Sequence, residues 1–368
     1  MTTVYAIGSN GSGQLGIGHA QDVSVPKEVL LDDSIIAAGP VTIRAGGNHT
    51  LLLTSAGQLL SAGDASNGAR GAEFQSSGDF PDTRFSAVLL ANGDPTGEGQ
   101  FKVSHCAATW EASIIVVRDD DGRATRVYSL GTGNKGELGL GDFIFRTGKP
   151  ERIADFPPPG TEVTDVAACV SHVVVVLDNG DVYGWGSGRK GELGLPEAIV
   201  KSPRKICDVG FPVARAVCGR DFTFLLGKRG TEDHLLLGFN KWDIRSSLPA
   251  HVSGWKDVGA GWGHVVLLMD NGAIISAGRN DHGQCAPPDL PEVSKMAVGS
   301  EHVLALSTEG DVMAWGWGEH GNCGPKTTDG DVKGTWNVVA STKHLPEGSK
   351  ILSIGCGCAT SWICVANP

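Results

Sequence analysis

One motif returns seven times along this chain in nearly fixed phase. Each copy is a short apolar run that ends in glycine and opens into a polar, glycine-rich loop. The fullest copy is Val312-Met313-Ala314-Trp315-Gly316-Trp317-Gly318-Glu319-His320-Gly321-Asn322-Cys323-Gly324-Pro325. The same skeleton stands at Tyr5–Gly16, Tyr128–Gly139 and Tyr183–Gly194, and weaker copies start at Leu60, Leu236 and Ser276. The landmark glycines are Gly8, Gly63, Gly131, Gly186, Gly238, Gly278 and Gly316, 38 to 68 residues apart. A strand unit of that length cannot bury its own faces, so the copies must stack on one another.

A second landmark precedes an apolar run in each copy. It is a glycine-containing turn that usually carries a histidine: His49, His172, His264 and His302. Ala112, Phe222 and Ser361 take that place in the remaining copies. The runs end in turns such as Asp178-Asn179-Gly180 and Asp270-Asn271-Gly272. Such Asn-Gly turns between apolar runs signal hairpins, because glycine accepts the positive φ they require. No segment carries a long 3.6-residue period. The reading is an all-β chain, a single seven-bladed β-propeller over residues 1–368 with four strands per blade. Strands from the two termini must then share or abut one blade. The long spacings mark surface insertions at about 72–100 and 326–349, with a further loop at Phe156–Gly160.

Composition narrows the function. Glycine supplies 53 of 368 residues, about double the usual share of ~7% and in keeping with many tight turns. The net charge of −11 and the lack of a Lys/Arg-rich tail argue against direct binding to nucleic acid. Nine cysteines, an odd number without a C-x-x-C pair, suit a reducing compartment. The aliphatic run Val173–Leu177 is far too short to span a bilayer. With no apolar signal region before Val4, the expectation is a cytosolic protein, with the nucleus as a second compartment.

The paired signatures Gly-Ser-Asn-x-x-Gly-Gln-Leu-Gly and Gly-x-x-His resemble the repeat of the regulator-of-chromosome-condensation family. Within it, Trp315–Pro325 and Gly357-Cys358-Ala359-Thr360-Ser361-Trp362 resemble the fungal α-tubulin-suppressor, or killer-toxin-insensitivity, propellers. That resemblance implies a non-enzymatic adaptor that forms a heterodimer with the small CSL-type zinc-finger protein, the electron donor of diphthamide synthesis on elongation factor 2. It also implies an indirect role with the Elongator complex in modifying the wobble uridine of tRNA. The other reading within the family is a guanine-nucleotide exchange factor or a chromatin-associated propeller.

Residues that break the repeat are the candidate partner-binding set. Trp317 occupies the slot of Ser9, Asp64, Thr132, Ser187 and Arg279, a mostly polar position that should face water. Trp110 and Trp262 share the slot of Gly47, Arg220 and Ser300, again in a loop. Exposed tryptophans are favoured at binding hot spots. The polar loops change sign along the chain, from Lys135, Arg189-Lys190 and Lys241 to Asp281-His282 and Glu319-His320. The set is therefore Trp317, Glu319, His320, Asn322, Asp281, His282, Trp110 and Trp262.

The competing chemistries are weaker. Gly-x-Gly-x-x-Gly recurs in register with no helix after it, so a dinucleotide site is not expected. His282-x-x-Cys285 and His320-x-x-Cys323 could supply zinc ligands. Yet the two cysteines stand where Leu15, Leu138 and Leu193 stand elsewhere, which reads as core. The in-phase histidines read as scaffold. A catalytic use of the Asp281-His282 and Glu319-His320 pairs is a third reading, and no cofactor is called for.

Overall fold

The computed structural model describes residues 2–31, 39–71, 83–90, 102–249 and 252–368. They form seven antiparallel sheets, whose innermost strands contact one another in an unbroken circle. The chain is an all-β seven-bladed propeller.

The closing blade contains both ends of the chain. Thr2–Gly8 pairs with Val23–Glu28 on one side and with Thr360–Ala366 on the other, and Lys350–Cys356 completes the sheet. The register with the C-terminal strand runs without a break from Thr2↔Ala366 to Gly8↔Thr360. The second, third, fourth and seventh blades also have four strands. The fifth (Val213–Cys218, Phe222–Gly227, His234–Gly238) and sixth (Trp255–Ala260, His264–Met269, Ile274–Gly278) show three among the described residues. This corrects the expectation of four strands per blade. In the sixth blade the chain continues through Pro287, Pro288 and Pro291, which lack the N–H a ladder needs. In the fifth, a single helical turn, Ile244–Ser247, follows instead.

The stretch 326–349, expected as a loop, holds the eleven-residue strand Asp331–Ser341 of the seventh blade. It pairs with Asp311–Trp317 through two register shifts, and these irregularities hid its pattern in the sequence. Of the other expected insertion, residues 72–82 and 91–100 lie outside the described residues. Ser86–Ala87 within it forms the outer strand of the second blade.

Second strands are buried at every residue in the second, fourth, fifth and seventh blades, as in His172–Leu177. A mid-blade strand has a neighbouring sheet on each face. It therefore reads as an unbroken apolar run rather than an alternation. Outer strands such as Ile199–Lys205 are half exposed.

The landmark glycine has a steric cause. Gly316 sits at φ +104, and a Cβ there would come within 2.5 Å of the Glu301 carbonyl oxygen. The following residue, Trp317, donates its N–H to that same oxygen at 2.8 Å. Every blade repeats this bond, with Ser9, Asp64, Thr132, Ser187, Phe239 and Arg279 as the donors. It ties the outer loop of each blade to its inner turn.

The histidines are scaffold groups that staple blades together. His49 Nε2 lies 3.0 Å from Ser113 Oγ, His172 Nε2 3.0 Å from Thr223 Oγ1, and His302 Nε2 2.9 Å from Ser361 Oγ, each on the next blade. Those hydroxyls in turn donate to loop carbonyls of Ala69, Glu192 and Asn322. Where the hydroxyl position is Val173 or Val303, an indole does the same work. Trp185 Nε1 donates to Glu137 O at 2.9 Å, and Trp315 Nε1 donates to Gln284 O at 3.2 Å. In the closing blade Thr360 faces the landmark Gly8. The histidine position there is therefore Thr360, not Ser361, and Ser361 supplies the hydroxyl.

His264 breaks this rule. It is fully buried, it precedes a blade whose matching residue is Val303, and neither ring nitrogen has a protein partner. Val303→Thr would supply the missing hydroxyl. It is expected to shift unfolding free energy by less than about 0.5 kcal/mol, whereas Val265→Thr, packed with Phe222, should cost about 1–3 kcal/mol as an unpaired buried hydroxyl. Urea unfolding of both variants checks this. Equal losses would mean that His264 does not face Val303.

Candidate docking face

Antiparallel blades place all inner turns and all outer loops on one face of the ring. The eight residues singled out by phase all lie on this face or just beneath it, in two clusters.

The first cluster spans the sixth, seventh and closing blades. Arg279 is at its base. Its Nε lies 2.7 Å from Asp281 Oδ1 and its Nη2 2.8 Å from Asp281 Oδ2. Its Nη1 also donates to buried Glu301. Burial would raise the Asp281 carboxyl, yet hydrogen bonds from Arg279 and Gln284 hold it down at about 2. Burial pushes the Glu301 carboxyl up against the opposing Gln284 and Arg279. The adjacent acid–imidazole pairs of the sequence do not pair with each other. His282 Nδ1 turns to Asp331 Oδ1 at 3.0 Å, and its Nε2 stays 4.0 Å from Asp281 Oδ2. His320 Nδ1 turns to Asp22 Oδ2 at 2.7 Å, from the opposite end of the chain.

Trp317 lies between these two imidazoles. Its ring is 6.3 Å from that of His282 and 5.4 Å, edge to face, from that of His320. The indole is half-buried rather than fully exposed. Glu319 is exposed at the loop tip. The two ring contacts hold the indole in one pose, which lowers the entropy a partner must remove.

Asn322 is corrected. It is 0% exposed, so it cannot touch a partner. It takes the slot of Gln14, Glu137, Glu192 and Gln284, whose side chains accept from the loop N–H two residues earlier. One methylene shorter, Asn322 instead donates to the Trp317 carbonyl at 2.7 Å. It positions the indole from below. Cys323 is buried beside it in the core.

The second cluster closes one mouth of the central channel. Trp110 and Trp262 come from blades on opposite sides of the ring, yet their rings approach to 5.9 Å. Arg220 stacks on Trp262 at 5.8 Å. Backbone bonds carry the turns round the mouth: Gly47 to Trp110 to Val170, and Arg220 to Trp262 to Ser300 to Gly357. Beneath the indoles lies a cavity of about 440 Å³ lined by all seven inner strands. Deeper in the channel, Arg215 bridges Asp165 at 3.1 Å and Asp257 at 3.5 Å across three blades.

The sequence had pointed to neither Asp22 nor Asp331 as a member of the site. No local signal marks Asp22, because only ring closure brings it to His320. Asp331 lies in the strand that had been read as a loop.

The profile of the RCC1-like domain family matches residues 3–363. An RCC1 repeat-containing protein of Schizosaccharomyces pombe is 31% identical over 306 residues, covering 81% of this chain and 82% of that protein. The mouse secretion-regulating guanine nucleotide exchange factor is 26% identical, covering 76% of this chain and 60% of that protein. Among solved structures, Prp20p of Saccharomyces cerevisiae superposes with a TM-score of 0.81 at 21% identity, covering 100% of this chain and 92% of that one. With a seven-bladed ring, the recurring glycine staple and a match over nearly its whole length, the chain belongs to the RCC1-like domain family.

Proposed function

We propose that this propeller is a non-enzymatic adaptor. Its loop face docks the small CSL-type zinc-finger electron-donor protein as a heterodimer. Through that partner it supports diphthamide synthesis on elongation factor 2 and Elongator-dependent modification of wobble uridine in tRNA. The docking takes place in the cytosol, with the nucleus as a second site. One observation carries the reading: a preoriented Trp317, flanked by His282 and His320 and ringed by carboxylates from three blades, with Trp110 and Trp262 at the neighbouring mouth. His282 pairs with Asp331 and His320 with Asp22, an arrangement suited to a fixed surface.

Isothermal titration of the purified partner tests this. Trp317→Ala with His320→Ala is expected to weaken binding by about 30-fold, the equivalent of about 2 kcal/mol for losing a hot spot. Unchanged affinity would remove this interface. A second reading, nucleotide exchange on a small GTPase, is favoured by the likeness to the mouse exchange factor. Accelerated release of labelled GDP from a GTPase would support it, and the Trp317 variant would then leave that rate as the primary readout.

A further inference from the structure

The opposite arc of the same face carries a different chemistry, outside the cluster around Trp317. Large apolar side chains stand exposed on the outer loops of the third, fourth and fifth blades. Phe143 is 92% exposed, Leu195 79% and Phe239 51%. Exposed apolar groups that sit singly need no explanation, but these follow one another round the rim and alternate with cations. Lys201 of the fourth blade lies 5.5 Å over the Phe145 ring of the third. Lys190 of the fourth lies 5.8 Å over the Phe239 ring of the fifth. Lys241 lies 4.6 Å over the Trp242 ring, which ends the row at the far edge of the fifth blade. Lys135 and Arg189 project from the loop tips beside them.

Most carboxylates of this arc are engaged, while Glu197 and Asp243 stand exposed on the outer loops of the fourth and fifth blades, outnumbered by Lys135, Arg189, Lys190 and Lys241. Glu137 and Glu192 are buried and accept the backbone N–H groups of Lys135 and Lys190. Asp142 pairs with Lys201 at 3.2 Å and Asp221 with Lys190 at 2.8 Å. The arc therefore presents positive charge and apolar surface together, on a chain whose net charge is −11.

From this we infer that the outer loops of the third to fifth blades form a second docking surface, and that its occupant is an acidic protein segment bearing aliphatic or aromatic side chains. Charge complementarity selects an acidic partner. The ring geometry selects protein over single-stranded nucleic acid. Stacked bases need a row of open aromatic faces, and here ammonium groups stand over Phe145, Phe239 and Trp242, which leaves Phe143 as the one uncovered ring among them. Leu195 and Phe143 offer what an apolar side chain can bury against. The acidic cluster round Trp317 on the other arc repels such a segment, so the surface also fixes which way a partner lies on the ring.

Fluorescence anisotropy on the full chain tests the inference. The probe is a labelled synthetic peptide alternating Glu and Asp with Leu and Phe. The comparators are its Lys-substituted counterpart and labelled oligouridylate. The acidic peptide is expected to bind, and to weaken as salt shortens the screening length from about 30 Å towards 8 Å. Lys135→Glu with Arg189→Glu should weaken it about tenfold, and Phe143→Ser with Leu195→Ser should do the same. All four side chains are exposed, so folding is not at stake. Lys228→Glu, the same reversal at an exposed site on the opposite face, should leave binding unchanged. Four results overturn the inference: no binding of the acidic peptide at low salt, loss in the Lys228 variant equal to that in the loop variants, preference for oligouridylate, or concentration-dependent sedimentation showing that a second copy of the chain fills the arc.

Discussion

Between pH 6.5 and about pH 4 the folded ring is expected to lose most of its stability. Four fully buried imidazoles carry most of this, and burial holds half-buried His105 down in the same direction. Burial holds His49, His172 and His302 down at about 4, and His264, the one without a partner, at about 3. Nearby Asp64 and Asp221 work against burial at His49 and His172 without overcoming it. Released by unfolding, each titrates near the ordinary value of about 6.5. Within this window the unfolded chain binds more protons than the folded one, so stability falls as pH falls. Each buried histidine contributes a slope of about 1.4 kcal/mol per pH unit, and four together about 5. A domain stable by about 5–15 kcal/mol would then unfold near pH 5. The buried Glu137, Glu192 and Glu301 carboxyls are pushed up by burial and offset part of the loss. Urea midpoints from neutral to acid pH measure the slope, and His172→Gln should flatten it by one proton. A slope below one proton across the window would sink the claim.

Trp315→Ala is expected to cost about 4 kcal/mol, the usual range for removing a buried tryptophan. The side chain is 0% exposed in the core of the seventh blade. Its loss leaves a cavity on the side facing the sixth blade, and it leaves Gln284 O without its donor. Trp315→Phe keeps most of the volume and loses the N–H, so it should cost about 1–2 kcal/mol. Urea unfolding of the pair separates packing from hydrogen bonding. Equal losses would mean that the indole N–H, not its bulk, dominates, contrary to this account.

Much of the fold was readable before any coordinates. Gly8 through Gly316 marked the blades because a single backbone geometry demands glycine at each. The apolar runs after the histidine turns marked strands, and the structure shows why they do not alternate: a mid-blade strand such as His172–Leu177 has a neighbouring sheet on each face. Asp331–Ser341 was missed because its register shifts erase the period that strands are recognised by. Among the described residues blades five and six hold three strands rather than the four expected, since a repeat constrains the stacked inner strands more tightly than the rim.

Of the candidate site, phase alone placed Trp317 in a polar slot of the loop, and the structure holds it there half-buried. A side chain's slot in a repeat dictates its face, and face dictates burial. What the amino-acid order determined is therefore what neighbouring blades share: strand order, turn positions and which residues depart from the pattern. Only the tertiary structure decided which departures meet. Asp22 reaches His320 across the seam where the ends join, and Trp110 meets Trp262 across the channel. Those contacts depend on the curvature of the whole ring. No local spacing encodes it, because it accumulates from all seven packing angles at once.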